Sequence, residues 1–517
     1  ASRGPYVVIG GLAARYSADS GGSTVVGYAA GTNAATYLRN TAIGYQALCG
    51  DVAGSTVTAT PTNNVAVGYH AAKGITTGSL NVAVGYQALR DITTGIGNAV
   101  IGDDAARTLS TGTSNVAIGG SALFAATSAA LNVAIGTSAL ASVTTTNDNI
   151  AIGAQASWKN TAGSTIAIGT QAAMSSTNST AQYIAVGALA VQTATNPQSV
   201  VAIGSSAGRL LTTPTHVVSV GHSALENSSS ANTVITIGNG AARNLTLPAI
   251  SSNDLVAIGI GALPTHTNGS VIGLLAIGNN LAQGSNGQLS QSTVIGNNAL
   301  AGATTAAYST VIGYSAGSQA AINKSVYITG NYSRMSAENS VYIAPLGTSN
   351  TVSSSMTNSI FIYSSGGAED TVARTLNNVI CIGGTPSAAT VANEVTIGNT
   401  AHNSYRSYAA WTNISDGRDK KNVVDLDEAT GLELVNKLRP VTFDWNTRDG
   451  KRVDKPDAGF IAQEVLAAAG EYNKNLKLVN DSNPDELMLN TTGIIPSLVL
   501  AIQQLTKKVE ELESRLK

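Results

Sequence analysis

From Asn81 the chain reads NVAVGYQALRDITTGIGNAVIGDDAA, and its apolar and polar positions begin to recur after 17 residues. The glycine that closes each apolar triplet falls at Gly68, Gly85, Gly102, Gly119, Gly136 and Gly153. Slightly slipped copies continue at Gly169, Gly187, Gly204, Gly221 and Gly238, looser ones at Gly259, Gly278, Gly296 and Gly313, and degenerate ones at SVYITG, SVYIAP, SIFIYS, NVICIG and EVTIGN. A fixed period of this length marks a repeat architecture. Each copy predicts a short strand such as Val82, Ala83 and Val84, then a glycine where the backbone turns or approaches a neighbour closely, then a small pair such as Ala88 and Leu89, then a polar loop. One unit cannot bury its apolar face alone but stacked units can, so the fold expected is mostly β, a repetitive parallel β-solenoid or β-roll. Alternation sets Val82 and Val84 on one face and Ala83 on the other. The branched pair is expected to fill the coil interior, leaving alanine for close contact outside.

The pattern changes near His402. Residues before about 400 hold 12 of the 28 Lys and Arg, and the remaining stretch holds the other 16. Four parts follow: an N-terminal segment 1–23, with more chain expected ahead of it; a repeat region 24–400; a linker 401–414; and a small α+β domain 415–517. That last domain ends in a helical pattern in which Ile495, Leu498, Ile502, Leu505, Val509, Leu512 and Leu516 recur in steps of three and four, a coiled-coil seam flanked by Lys507, Lys508, Glu510 and Glu511. Branched residues at one seam position with leucine at the other lean toward two strands by the simple rule.

Composition narrows the function. Charged residues are 11% and aromatics 5% of the chain, so any core is built from small and β-branched side chains. A net charge of -2 gives no reason to expect nucleic acid as a partner. Neither a run of eighteen apolar residues nor a signal peptide is present, so no membrane insertion is expected. Cys49 and Cys381 lie too far apart in sequence for a paired-cysteine metal site, and His70, His216, His222, His266 and His402 are dispersed. Neither a metal nor a cofactor is expected. The GxSxG pattern occurs at Gly204 to Gly208 and Gly313 to Gly317, but Ser206 and Ser315 hold the repeat position occupied elsewhere by Gln46, Gln87, Ser121, Ser138 and Gln155. It therefore comes from the repeat and not from a hydrolase elbow.

NVAVGYQAL, NVAIGTSAL and NIAIGAQAS resemble the NxAIG head repeats of trimeric autotransporter adhesins and the similar repeats of phage tail fibres. That resemblance implies a homotrimeric fibre. The C-terminal blocks ISDGRDKKNVVDLDEATGLELVNKLRPVTFDWN, AGFIAQEVLAA and TTGIIPSLVLAIQQL resemble the intramolecular chaperone of phage endosialidases and tail spikes, the peptidase S74 family. Members assist trimerisation of the β-structure before them and then cut themselves off. The motif SDxRxK falls on Ser415, Asp416, Arg418 and Lys420. By resemblance, Ser415 attacks the bond between Ile414 and Ser415, Lys420 takes its proton, and Asp416, Arg418 and Glu464 are accessory. Asp419 stands where family members often carry an apolar residue, and a carboxylate there is expected to slow cleavage. The dyad is expected to form only after the chains assemble.

The function expected is a trimeric phage tail fibre or spike, assembled in the host cytoplasm and located in the virion tail. Its partners would be a host cell-surface glycan or protein, and other tail proteins through the part ahead of residue 1. Its only peptidase activity would be a single self-cleavage, with no external substrate. A polysaccharide depolymerase and a bacterial trimeric surface adhesin are the alternatives. Scarce aromatics and carboxylates in the repeats favour binding over sugar hydrolysis.

Overall fold

The computed structural model describes all residues except 1–5, 18–20, 51–59, 162, 177–181, 196, 229–230, 246–253, 267–272, 284–288, 330–335, 345–354, 363–374, 384–391, 399–414, 448–452, 483, 486 and 517. The chain divides into two units, Ala1–Ile380 and Cys381–Lys517. The compositional break near residue 400 lies outside the described residues.

The first unit is a parallel β-solenoid. Each repeat contributes one strand to a long sheet, and neighbouring coils pair in register, Val82 with Ala99, Ala83 with Val100 and Val84 with Ile101. The turns pair as well: the Gln87 amide donates to Tyr69 O at 2.8 Å and the Leu89 amide to Ala105 O at 2.9 Å. The backbone of a coil is thus satisfied by the coils before and after it, which is how short segments escape the cost of burying unpaired peptide groups.

The alternation is read correctly but its sides are reversed. Ala83 is fully buried, while Val82 and Val84 face outward and are partly exposed. A coil of about this length encloses a narrow interior already occupied by Ala88, Leu89 and Ile92, and only a small side chain fits opposite them at close packing. The branched residues therefore form two outward columns. Toward the C-terminal end the solution changes. A second five-stranded sheet from Thr305–Ala307 to Thr375–Asn377 appears, and the strand centres enlarge to Tyr327, Tyr342 and Phe361, all buried. Ile322, Ala337 and Met356 from the second sheet are buried as well.

Two features lock coil to coil. At each phase glycine the backbone has a positive φ, +139° at Gly85, and a Cβ there would lie 2.3 Å from Gly102 O. Only glycine meets both conditions. Four residues before it stands a buried asparagine. Asn98 donates through its backbone N–H (3.0 Å) and Nδ2 (2.9 Å) to Asn81 Oδ1, and Asn98 Nδ2 also donates to Gly112 O at 2.9 Å. The same arrangement runs through Asn64, Asn81, Asn98, Asn115, Asn132 and Asn149. Ser292, Ser309, Ser325, Ser340 and Ser359 repeat the role with a hydroxyl acceptor. Between them Thr165 still bonds to Asn149 Oδ1 (2.7 Å), after which the position turns apolar (Val200, Val217, Val234), and there the strands lengthen to Gln198–Ile203, Thr215–Val220 and Asn232–Ile237, so that the sheet itself pairs the backbone.

A charged column crosses three of these coils. Glu226 lies between Arg243 (2.8 Å) and Arg209 (3.6 Å). Burial pushes its carboxyl up, but hydrogen bonds from Arg243 and Ser223 and the two positive charges outweigh this and hold it below the usual range.

Asn115→Ala should strand the Asn132 amide and the Ala129 carbonyl, costing ~2–3 kcal/mol, and Gly102→Ala should be worse because its Cβ meets Gly119 O at 2.5 Å. Thermal unfolding of the shaft checks both, with Ser114→Ala as a surface control. Because the Glu226 carboxyl is depressed on folding, its contribution is present above the ordinary carboxylate range and disappears as pH falls through the lowered value. Comparing denaturation midpoints at neutral and acid pH, Glu226→Gln should flatten the acid-side loss of stability.

Candidate self-processing site

The second unit carries helices α1 (Leu432–Lys437), α2 (Ala462–Ala469), α3 (Asn473–Leu476) and α4 (Ile495–Leu516) and an antiparallel hairpin of β1 (Val441–Asn446) and β2 (Val453–Gly459). Leu434, Val465, Ala469, Leu478, Val479 and Ile494 form its buried core. Midway along α4, Gln504 ties it to α1: its side chain accepts from the Leu432 amide (2.7 Å) and donates to Glu428 O (2.9 Å), so it caps α1. A Cβ on Gly431 would lie 2.5 Å from Gln504 Oε1, which explains the glycine ahead of α1.

Description of this unit resumes at Ser415; Ile414, on the other side of the expected scissile bond, lies outside the described residues. Asp416 caps a single helical turn, Gly417–Asp419, by accepting from the Arg418 amide at 2.9 Å. The Arg418 guanidinium returns to the same carboxylate, with Nη2 to Oδ2 at 2.6 Å. That hydrogen bond holds the Asp416 carboxyl below its ordinary value and raises the Arg418 guanidinium. The turn ends as the Lys420 amide donates to Gly417 O at 3.2 Å. Its effect is to fold Lys420 back over Ser415: Nζ lies 2.5 Å from Ser415 Oγ and 3.5 Å from Ser415 O. A serine hydroxyl and a lysine amine in direct contact are the two groups needed for a serine nucleophile with a lysine base.

The contact lies within one chain, and both side chains stand in solvent. Glu464 does not join the dyad. It sits in the first turn of α2 and pairs with Arg439, whose Nε donates to Oε2 at 3.0 Å and whose Nη2 also bonds Oε1. The hydrogen bond from Arg439 is the main reason the Glu464 carboxyl lies below its ordinary value. Sequence reasoning missed both this ion pair and the Gln504 cap, because each joins residues that no local pattern connects.

On α4, Ser497 and Ala501 face the core, while the seam residues Ile495, Leu498, Ile502, Leu505, Val509, Leu512 and Leu516 are all exposed, from 41% at Leu498 to 87% at Leu516. In the shaft, Ser206 and Ser315 share a positive φ with Gln46, Gln87, Ser121, Ser138 and Gln155, as members of one repeat position. Among the described residues no group of three or more His, Cys, Asp or Glu is placed to hold a metal ion, and no helix is long and apolar enough to cross a membrane.

Residues 415–474 match the peptidase S74 family, described as the chaperone of endosialidase. A probable tail fiber protein of Escherichia phage Phieco32 is 35% identical over 103 residues, which is 20% of this chain and 14% of that protein. The chain thus covers only a small part of its relative's length. No solved structure matches. The β-solenoid, the chaperone-of-endosialidase domain and the tail fibre relative together fit a phage tail fibre with a C-terminal chaperone.

Proposed function

We propose that the protein is a homotrimeric tail fibre or spike, assembled in the host cytoplasm, that contacts a host cell-surface glycan or protein and meets other tail proteins through its N-terminal side. In this reading residues 415–517 gather three chains, fix their register and then release themselves by cleavage between Ile414 and Ser415. The observation that carries it is an uncovered apolar surface on each unit. On α4 it is the exposed seam. On the shaft it is the pair of outward branched columns, which includes Ile43, Ile101, Ile118, Ile168, Ile203 and Ile237. Contiguous apolar surface of that extent on a soluble fibre calls for a partner. A partner that matches the coil repeat along the whole shaft is another copy of the shaft.

Cleavage follows from the same requirement. The contact shown has Lys420 Nζ donating to Ser415 Oγ; the reaction needs the reverse, with the hydroxyl proton passing to the amine as Oγ attacks the Ile414 carbonyl carbon, the same proton then going to the Ser415 nitrogen as the C–N bond breaks, and water hydrolysing the resulting Ile414 ester to free the two fragments. Removal of water from around a lysine favours its neutral form. A neighbouring chain laid over the exposed dyad supplies that cover, so cutting reports completed assembly. Asp416 and Arg418 hold the turn that brings Lys420 back.

Light scattering after size exclusion should give three times the 52.1 kDa chain mass, or three times that of residues 1–414 after cutting; a stable monomer contradicts the trimer. Deletion of 415–517 from the gene should give aggregated repeats, and soluble trimers from that truncation would remove the chaperone role. Expression of the full chain should yield fragments 1–414 and 415–517. Ser415→Ala and Lys420→Ala should each leave one full-length chain that still assembles, whereas unchanged cutting of Ser415→Ala would assign the cut to an external protease. Asp419→Leu should speed the reaction if the carboxylate slows it.

A further inference from the structure

The residue after the phase glycine is tyrosine in four successive coils, Tyr28, Tyr45, Tyr69 and Tyr86. Their rings stack along the shaft with centroids 5.5, 5.3 and 5.2 Å apart and planes within 12°. All four remain exposed, the two end rings most. The ladder is local. In the following coils the same position is Asp103, Gly120, Thr137 and Ala154, although the outward columns continue as Ile101, Ile118, Ile135 and Ile152. Contact between shafts along those columns therefore does not require the tyrosines, and the four rings have a separate use.

Their geometry limits what that use can be. Stacking, with His70 lying against Tyr69 at 3.8 Å between centroids, covers much of the inner ring faces, so the ladder presents ring edges and one phenol hydroxyl per coil. Polar groups continue the row: Gln87 Nε2 donates to Tyr86 Oη at 3.2 Å, and Arg90 Nη1 to Gln87 Oε1 at 3.3 Å. At the N-terminal end the next position is Gly11. Among the described residues a Cβ there would stand 3.5 Å from the Tyr28 ring and meet nothing else within 4 Å, which leaves room for one more ring on the outer face of Tyr28. An extended peptide advances ~3.3 Å per residue and falls out of step with a 5.2–5.5 Å comb. A chain of equatorially linked hexoses, with about one sugar per coil, keeps step with it. Such a chain also carries the hydroxyls to pair with phenols and the apolar ring face to stack on Tyr28.

We propose that the tyrosine ladder binds an extended glycan laid along the shaft, one sugar per coil, with its end ring stacked on Tyr28 in the space left by Gly11. The proposal rests on the tail fibre reading and names its receptor class and site.

The test uses full-length protein on an array of bacterial surface polysaccharides together with cello- and malto-oligosaccharides. Adsorption to the bacteria whose polysaccharides are printed is measured in parallel. Gly11→Leu fills the cleared space at an ordinary contact distance, and the double variant Tyr45→Phe, Tyr69→Phe removes only hydroxyls. Binding to extended glycans, and not to the curved malto series, should weaken about tenfold in Gly11→Leu and about fivefold in the Phe pair, at unchanged trimer mass. Glycan binding that survives both variants overturns the proposal, as does cell adsorption by the wild type with no glycan bound. In either case the tail fibre reading stands. Failure of the wild type to adsorb to any of the bacteria overturns that reading as well. A fall in trimer mass in the Phe pair overturns the proposal and assigns the ladder to contact between chains.

Discussion

The structure depends on one close approach. At each phase glycine from Gly10 to Gly313 the backbone of a coil passes so near that of the next that a Cβ would fall well inside contact distance of the neighbouring carbonyl, 2.3 Å at Gly85 and 2.5 Å at Gly102. This fixes the rise, and through the rise everything else that repeats. Strand partners stay in register, the buried asparagines come within reach of one another, and the tyrosines stack at one ring per coil. Because the approach is between backbones, the side chains elsewhere in the repeat are free to vary. That freedom lets the interior change from alanine with leucine to buried tyrosine and phenylalanine within one solenoid.

Narrowness is the second consequence. A coil that tight has room for alanine at its strand centre, which sends the branched residues outward. A shaft of this kind covers its backbone but not its apolar surface. Among the described residues the coils of one chain pair one another's backbone while part of their branched apolar surface stays uncovered; in the proposed trimer, neighbouring chains would cover it. The C-terminal unit divides in the same way: its core closes around Leu434, Val465 and Ile494, while the seam of α4 remains open.

The repeat period, the strand positions and the terminal helix were all legible in the sequence because each is a local pattern written many times or over several turns. Which side of the strand faces inward was not, because alternation separates two faces without saying which is the smaller space; the bulk of Leu89 and Ile92 across the coil decides it. The Ser415 and Lys420 pair was legible only through resemblance. The physical link is a one-turn helix capped by Asp416, which brings residues five apart into contact. Glu464 shows the limit of that route: its partner Arg439 lies 25 residues away and is set by the packing of α2. The tyrosine ladder was written plainly as GYAA, GYQA, GYHA and GYQA, and its meaning needed the coil rise.

Register explains why such a shaft would need help in folding. Between Asn64 and Asn149 the coils are nearly interchangeable, and a slip of one coil between chains would bury almost the same columns. The irregular coils are different. A slip there would set the long strands Gln198–Ile203 and Thr215–Val220 against short ones, and the aromatic centres Tyr327 and Phe361 against others of different size. Those coils lie toward the C-terminal side of the interchangeable stretch. Chains brought together at their C-terminal ends meet first where the coils are distinguishable, and the uniform stretch then closes with its alignment already set. A domain that gathers chains at that end and then leaves would act when register is being chosen, and would not be needed once the coils have locked.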